Sequence, residues 1–296
     1  MNFKPVQLSD KEIFDTYLAG RERQLITYCF SSFYLWRNWD PYSWDIVDDA
    51  LVVKSGYLGL DTICVPISAS NKAVFAATEH MIADYREQGK DFLISEVSQS
   101  DLDLFEQQWP GRFLAQEYEP GANYIYNQQD LALLKGGKYD AKRNQIHHFT
   151  RACPDCQLLP IDKSILPQCY GLMQLWLSRQ EPGNPETKME YNGCLDALND
   201  LQYLDCEGWA LLNNDKVIAL SIGQQLNKDT YCIHIEKGDT DIPGVYQAIN
   251  CFCAGKYPQF AFINRAEDMG DPGLRRSKLS YHPCRMEKKY YLRLAE

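Results

Sequence analysis

The two halves of this sequence carry secondary-structure signals in one and the same order, which restricts the chain to an internally duplicated α/β architecture. The second half shows it more strongly. A strand signal near 156–159 precedes an amphipathic helix over 163–178, where Ile165, Cys169, Met173 and Trp176 recur at helical spacing. After a Gly/Pro/Asn loop come a second helix to about Leu201 and a hairpin of strands 208–213 and 217–225 turning at Asn214-Asp215. An alternating strand over 231–236, a helix over 243–255, a strand at 260–263, a short helix over 271–280 and a strand over 285–292 complete the series. The first half reads as a helix to Leu18, strands near 44–47, 51–54 and 62–67, a helix over 71–88, a strand at 92–94, a helix at 101–108 and a strand at 112–118. The break at Glu119-Pro120-Gly121-Ala122 sets the expected boundary, with domains over 1–121 and 122–296.

Strand, two helices, hairpin, strand, helix, strand, helix, strand is the order of the GNAT acyltransferase fold, so two tandem GNAT-like domains of mixed α/β class are expected. A chain of 296 residues is long enough for two such cores. It contains no apolar run of membrane-spanning length, and MNFKPVQLSDKE has no signal-peptide core, so a cytoplasmic protein without a transmembrane segment is the expectation. The 11 cysteines have no framework spacing and read as thiols. Cys153 and Cys156 supply half of a zinc ligand set, and no metal is expected. A net charge of −10 argues against coating DNA by bulk charge, but leaves room for a local basic groove.

Three constellations can carry chemistry. In residues 136–151, Lys138 and Lys142 stack four apart on a helix, Arg143 lies beside them, and Tyr139 belongs to the apolar face. Such a group suits a phosphate-bearing substrate and equally suits a solvated helix. In residues 263–283 a buried strand ends at Asn264 and releases Arg265, Glu267 and Asp268 into a loop shaped by Gly270 and Gly273, with Arg275 and Lys278 following on a helix. Strand ends in α/β folds are where functional groups gather. The acids there could orient a nucleophile and the cations could hold a phosphate or a developing oxyanion. Glu236, on the alternating strand with His234 on the same face, is a candidate general base.

CoA-using enzymes of this fold cradle the pyrophosphate on backbone N–H groups at a glycine-rich helix start. Here that stretch is GDTDIPGVYQA, in which Pro243 removes a donor and Asp239 and Asp241 repel a diphosphate, so CoA is disfavoured as a cofactor.

Gly137-Lys138-Tyr139-x-x-Lys142-Arg143-Asn144 together with Asn264-Arg265-x-Glu267-Asp268-x-Gly270-x-x-Gly273-Leu274-Arg275-x-x-Lys278-x-Ser280-Tyr281-x-Pro283 resembles a bacterial family of unknown function. That family is similar to the C-terminal catalytic half of phosphatidylglycerol lysyltransferases. The resemblance implies tandem GNAT folds of the Fem type, aminoacyl-tRNA as donor, and an amine or lipid hydroxyl as acceptor. It implies Asp268, Glu267 and Lys278 as catalytic candidates, beside Glu236 from the strand reading above. Lys138, Tyr139, Lys142, Arg143, Asn144, Asn264, Arg265, Arg275 and Tyr281 are then the substrate-binding candidates. The lysyltransferases join this module to a membrane-embedded flippase, which this sequence does not contain, so the acceptor, small molecule or lipid, stays open. A non-catalytic ligand-binding module and a CoA-dependent acetyltransferase are the alternatives.

Overall fold

Two tight turns illustrate how directly local chemistry sets this fold. Asp48 and Asp49 (φ 47° and 62°) and Asn214 and Asp215 (φ 49° and 59°) occupy the left-handed region that two-residue hairpin turns require, and Asp and Asn tolerate it best after glycine. The computed structural model describes residues 1–19, 24–56 and 59–295.

In chain order the elements are β1 (Lys4–Pro5), α1 (Lys11–Leu18), α2 (Phe30–Leu35), β2 (Ser43–Val47), β3 (Ala50–Ser55), β4 (Thr62–Cys64) and α3 (Asn71–Glu87). Then come β5 (Leu93–Val97), α4 (Gln99–Gln108), β6 (Phe113–Glu117), β7 (Asn123–Asn127), α5 (Gln128–Leu133) and α6 (Asp140–Ala152). They are followed by β8 (Gln157–Pro160), α7 (Leu166–Ser178), α8 (Pro185–Asp200), β9 (Glu207–Asn213), β10 (Lys216–Gln225) and β11 (Thr230–Gly238). The last are α9 (Val245–Ala254), β12 (Phe262–Asn264), α10 (Pro272–Leu279), β13 (Arg285–Glu287) and β14 (Tyr290–Leu294).

The elements form two units. The first holds residues 1–123, 267–270 and 286–296, and the second holds 124–266 and 271–285. The first sheet runs β1-β2-β3-β4-β5-β14-β6 and the second runs β8-β9-β10-β11-β12-β7-β13. Counted from their first strands, both sheets place a parallel pair fourth and fifth: β4 with β5, and β11 with β12. Both fill the sixth place with an antiparallel strand from elsewhere in the chain: β14 in the first sheet, β7 in the second.

This arrangement corrects the expected boundary. The predicted final strand over 285–292 is two strands: β13 lies in the second sheet and β14 in the first. The break falls at Lys288-Lys289, the latter buried at 4% exposure. The segment that carries β14 therefore folds with the first unit. Leu292 of β14 joins the first core with Val52, Ile63, Met81, Ile94 and Phe105. Likewise β7, just past the break at residues 119–122, was not foreseen as a strand. Its run NYIYN lacks alternation because Tyr124, Ile125 and Tyr126 are all buried.

The helix foreseen from Pro243 begins instead at Val245, because Gly244 takes a left-handed conformation (φ 76°). A side chain there would meet the Gln145 carbonyl of α6 at 2.1 Å, so the close packing of α6 on the start of α9 requires glycine. Phe149 of α6 and Val245, Ala248 and Ile249 of α9 share one core with Leu211 and Ile218 beneath them.

Leu292→Ala should destabilise the protein by about 2–5 kcal/mol, as for other large-to-small core changes, when measured by chemical denaturation. A change below about 1 kcal/mol, the range of surface substitutions, would show that β14 is not part of the first core.

Candidate functional site

In the second unit, the parallel strands β11 and β12 are paired only over Thr230–Cys232 and Phe262–Asn264. Beyond that point β11 continues along β10 to Gly238, whereas the chain after Asn264 turns away. The turn is built by Asn264 itself. Its side chain is fully buried, and its Oδ1 accepts the Ala266 N–H at 2.8 Å while Ala266 sits at φ 55°. Asn264 therefore shapes the loop. The turn directs Arg265 to Glu236 of β11, with Nη2 2.5 Å from Oε2.

This pair is the centre of a polar cluster. Asn250 of α9, 2% exposed, donates its Nδ2 to the other oxygen of Glu236 at 3.2 Å. Burial opposes the charge on Arg265, but Glu236 together with Tyr126 and Tyr281 outweighs it, and the guanidinium is held more firmly protonated than usual. Tyr281 lies beneath Arg265, with the guanidinium carbon 5.1 Å from the ring centre, and Lys142 of α6 places its Nζ 4.2 Å from the same ring. Burial, reinforced by the charge of Arg265, moves the Lys142 pKa below its ordinary value. Burial also pushes the Tyr281 phenol up to about 12. Two atoms of the cluster are enclosed without a hydrogen-bond partner in the protein: Nη1 of Arg265, a donor, and Oδ1 of Asn250, an acceptor. Orphaned buried polar atoms are rare enough to mark a place where a ligand or water belongs.

Several predicted residues support this cluster through hydrogen bonds. Lys278, 6% exposed, donates its ammonium to the Arg265 carbonyl, and its own carbonyl accepts the Tyr126 hydroxyl at 2.9 Å. Its role is to pin the backbone that presents Arg265. Tyr139 is fully buried and bonds the Tyr281 carbonyl at 3.2 Å, fixing the residue beneath the two cations. Arg143 bonds the carbonyls of Leu134 and Gly136 and pairs with Asp140, so its fork closes the turn before α6. That use differs from the predicted phosphate contact. Lys138 is exposed and lies 3.6 Å from Asp130. Asn144 is exposed on α6, and Arg275 is half-buried on α10.

Glu267 and Asp268 belong to the first unit. Lys289 there lies between Glu96 at 2.7 Å and Glu267 at 3.1 Å, and reaches Thr27 at 3.2 Å. Asn123 donates to Glu267 at 3.0 Å. Burial opposes the charge on Lys289, and the two carboxylates overcome it and keep it protonated. Asp268, 1% exposed, accepts the Gly270 N–H at 2.8 Å and orders the loop. Glu96 forms a bulge near the end of β5 at φ 56°, the place in the first sheet that the end of β12 holds in the second. The first unit thus fills this position with its own ion triad, whereas the second leaves a donor and an acceptor unpartnered. The missed residues are Asn250 and Lys289. Both lie in segments that read locally as an apolar helix and a strand, and only long-range pairing reveals their partners.

Around the start of α9, Arg179, which caps the C-terminus of α7, binds Asp239 at 2.7 Å and Asp241 at 2.6 Å. The acids that argued against a diphosphate are held in an ion-pair network, and the Gln145 carbonyl stands against Gly244.

A family model described as phosphatidylglycerol lysyltransferase, C-terminal, matches residues 20–293. The chain belongs to this family. A conserved protein of unknown function from Bacteroides thetaiotaomicron is 31% identical, and the two structures superpose with a TM-score of 0.88 over 100% of both chains. L-PGS from Bacillus licheniformis is 14% identical over 96% of this chain and 92% of that one, with a TM-score of 0.67. FemX is 8% identical over 100% and 98%, with a TM-score of 0.59. The two distant matches establish the shared tandem GNAT-type fold. A search of curated protein sequences finds no match. No helix among the described residues is long and apolar enough to cross a membrane.

Two outcomes follow. Lys289→Met leaves two partly buried carboxylates facing each other without their shared cation and should cost up to about 3–5 kcal/mol of stability in denaturant titrations. His234 is held neutral by burial, with its pKa lowered to about 4. The unfolded chain then binds the extra proton between pH 6.5 and 4, so stability falls as pH drops through that window. His234→Gln should flatten this decline by a few kcal/mol in melting curves at pH 4.5 and 7, and equal slopes would contradict the assignment.

Proposed function

We propose that this chain transfers an aminoacyl group from aminoacyl-tRNA to an amine or hydroxyl acceptor in the second unit, without CoA. The observation that carries this reading is the Glu236–Arg265 pair at the opening between β11 and β12, with the unpartnered Arg265 Nη1 beside it. Family membership supports acyl transfer as the reaction class.

The residues have natural roles in such a reaction. The acceptor nitrogen or oxygen attacks the ester carbonyl of the donor, and its proton passes to the Glu236 carboxylate. The carbonyl oxygen becomes an oxyanion facing the Nη1 donor. Protonating Glu236 removes the charge that neutralises Arg265, so the guanidinium becomes free to stabilise the oxyanion as it forms. Collapse of the intermediate expels the terminal ribose hydroxyl of the tRNA, which takes the proton back. Asn250 keeps Glu236 in place, and Lys278 and Tyr139 hold the backbone beneath. The CoA-free reading draws support from the occupied start of α9, where the Gln145 carbonyl and the Arg179 network stand.

The test is release of labelled amino acid from charged bulk tRNA to an added amine. Glu236→Gln and Arg265→Gln should each slow transfer by about a hundredfold or more, as for loss of an oxyanion donor or general base, with circular dichroism unchanged. Transfer at the parental rate in both variants would overturn the reading, and a melting-temperature shift with CoA would overturn its CoA-free part.

A further inference from the structure

The charges gathered around Tyr281 do not balance. Lys142 and Arg265 bring two positive charges to one ring, and Glu236 brings one negative charge, already bound by Arg265 and Asn250. One positive charge is therefore in excess. Among the described residues Lys142 forms no ion pair, and its ammonium rests on the aromatic face alone. Lys142 is half-buried on α6, whereas Arg265 and Glu236 are 13% and 11% exposed, so Lys142 is the more accessible of the two cations. The rings of Tyr126 and Tyr281 lie 5.9 Å and 5.1 Å from the guanidinium carbon.

A side chain carrying an ammonium group would bring a third positive charge into this cluster, whose carboxylate, Glu236, is already bound by Arg265 and Asn250. At the few ångströms separating these groups, such repulsion decides specificity. A carboxylate meets the opposite situation. It finds an ammonium without a counter-ion and a guanidinium whose Nη1 has no acceptor. We propose that Lys142 and Arg265 form an anion subsite, so that the aminoacyl group handled here carries a carboxylate and a lysyl-type side chain is rejected. The inference rests on the aminoacyl-transfer reading for the identity of the ligand. The subsite itself rests on the geometry.

The proposal is tested by calorimetric titration of the intact chain with the α-amides of L-glutamic acid, L-alanine and L-lysine, and with glutarate and inorganic phosphate as bare anions. Glutamic acid α-amide should bind most tightly. Lys142→Met should weaken it about tenfold or more, the size of one charge-assisted contact, and Lys142→Arg should largely restore it. Lys142→Glu should turn the preference toward lysine amide. Position 142 is half-buried, and a melting curve for each variant separates lost binding from lost folding.

Lysine amide binding as tightly as glutamic acid α-amide, or Lys142→Met leaving all affinities unchanged, would overturn the proposal. Lys142-dependent binding of glutarate with no amide bound would leave the subsite standing and remove the aminoacyl reading. The same dependence for phosphate, with neither glutarate nor any amide bound, would overturn the assignment to a carboxylate. Absence of any anion binding would overturn the subsite while leaving aminoacyl transfer to the activity test above.

Discussion

Two parallel strands that part company at their ends must do something with the polar groups exposed between them, and the whole molecule turns on the two answers it gives. In the second unit the opening between β11 and β12 is bridged by Glu236 and Arg265, and the bridge is incomplete. In the first unit the corresponding place holds Lys289 between Glu96 and Glu267, with Thr27 and Asn123 completing the set. A buried ion is tolerated when its partners are all present. An incomplete set persists where something else is meant to complete it. One fold, used twice, thus becomes a closed structural unit in one copy and a candidate site in the other.

The supports around the second opening follow from that need. Arg265 must be presented at a fixed angle, so Asn264 makes the turn, Lys278 grips the carbonyl of Arg265, and Tyr126 and Tyr139 hold the segment from the strand and helix sides. Each of these is a buried polar group with a partner, which rigidifies a loop that apolar packing alone would leave loose. The same logic accounts for Gly244, whose missing side chain lets α6 approach α9 and brings Lys142 to Tyr281.

The residues flagged by charge alone separate cleanly once their partners are known. Arg143 and Lys142 are neighbours on one helix, yet Arg143 closes a turn with Leu134, Gly136 and Asp140 while Lys142 forms no ion pair among the described residues. Glu267 and Asp268 directly follow Arg265 and its neighbour Ala266, yet they fold with the first unit. Proximity in sequence placed them with Arg265, and the turn at Ala266 separates them.

Local chemistry by itself determined most of the element order, the hairpin turns at Asp48-Asp49 and Asn214-Asp215, the Asp271 cap that opens α10, and the candidacy of Glu236, Arg265 and Lys142. These depend on periodicity, on turn residues, and on charged groups at the end of a buried strand, all of which are short-range properties. Tertiary structure alone decided that β14 completes the first sheet and β7 the second, and that the apparent strand over 285–292 divides between them. It also decided which half keeps an unfilled polar site. Such choices hang on pairings between residues more than a hundred positions apart, as with Lys289 and Glu96. No local pattern records them, because the energy of a buried ion is set by whatever side chains meet it after folding.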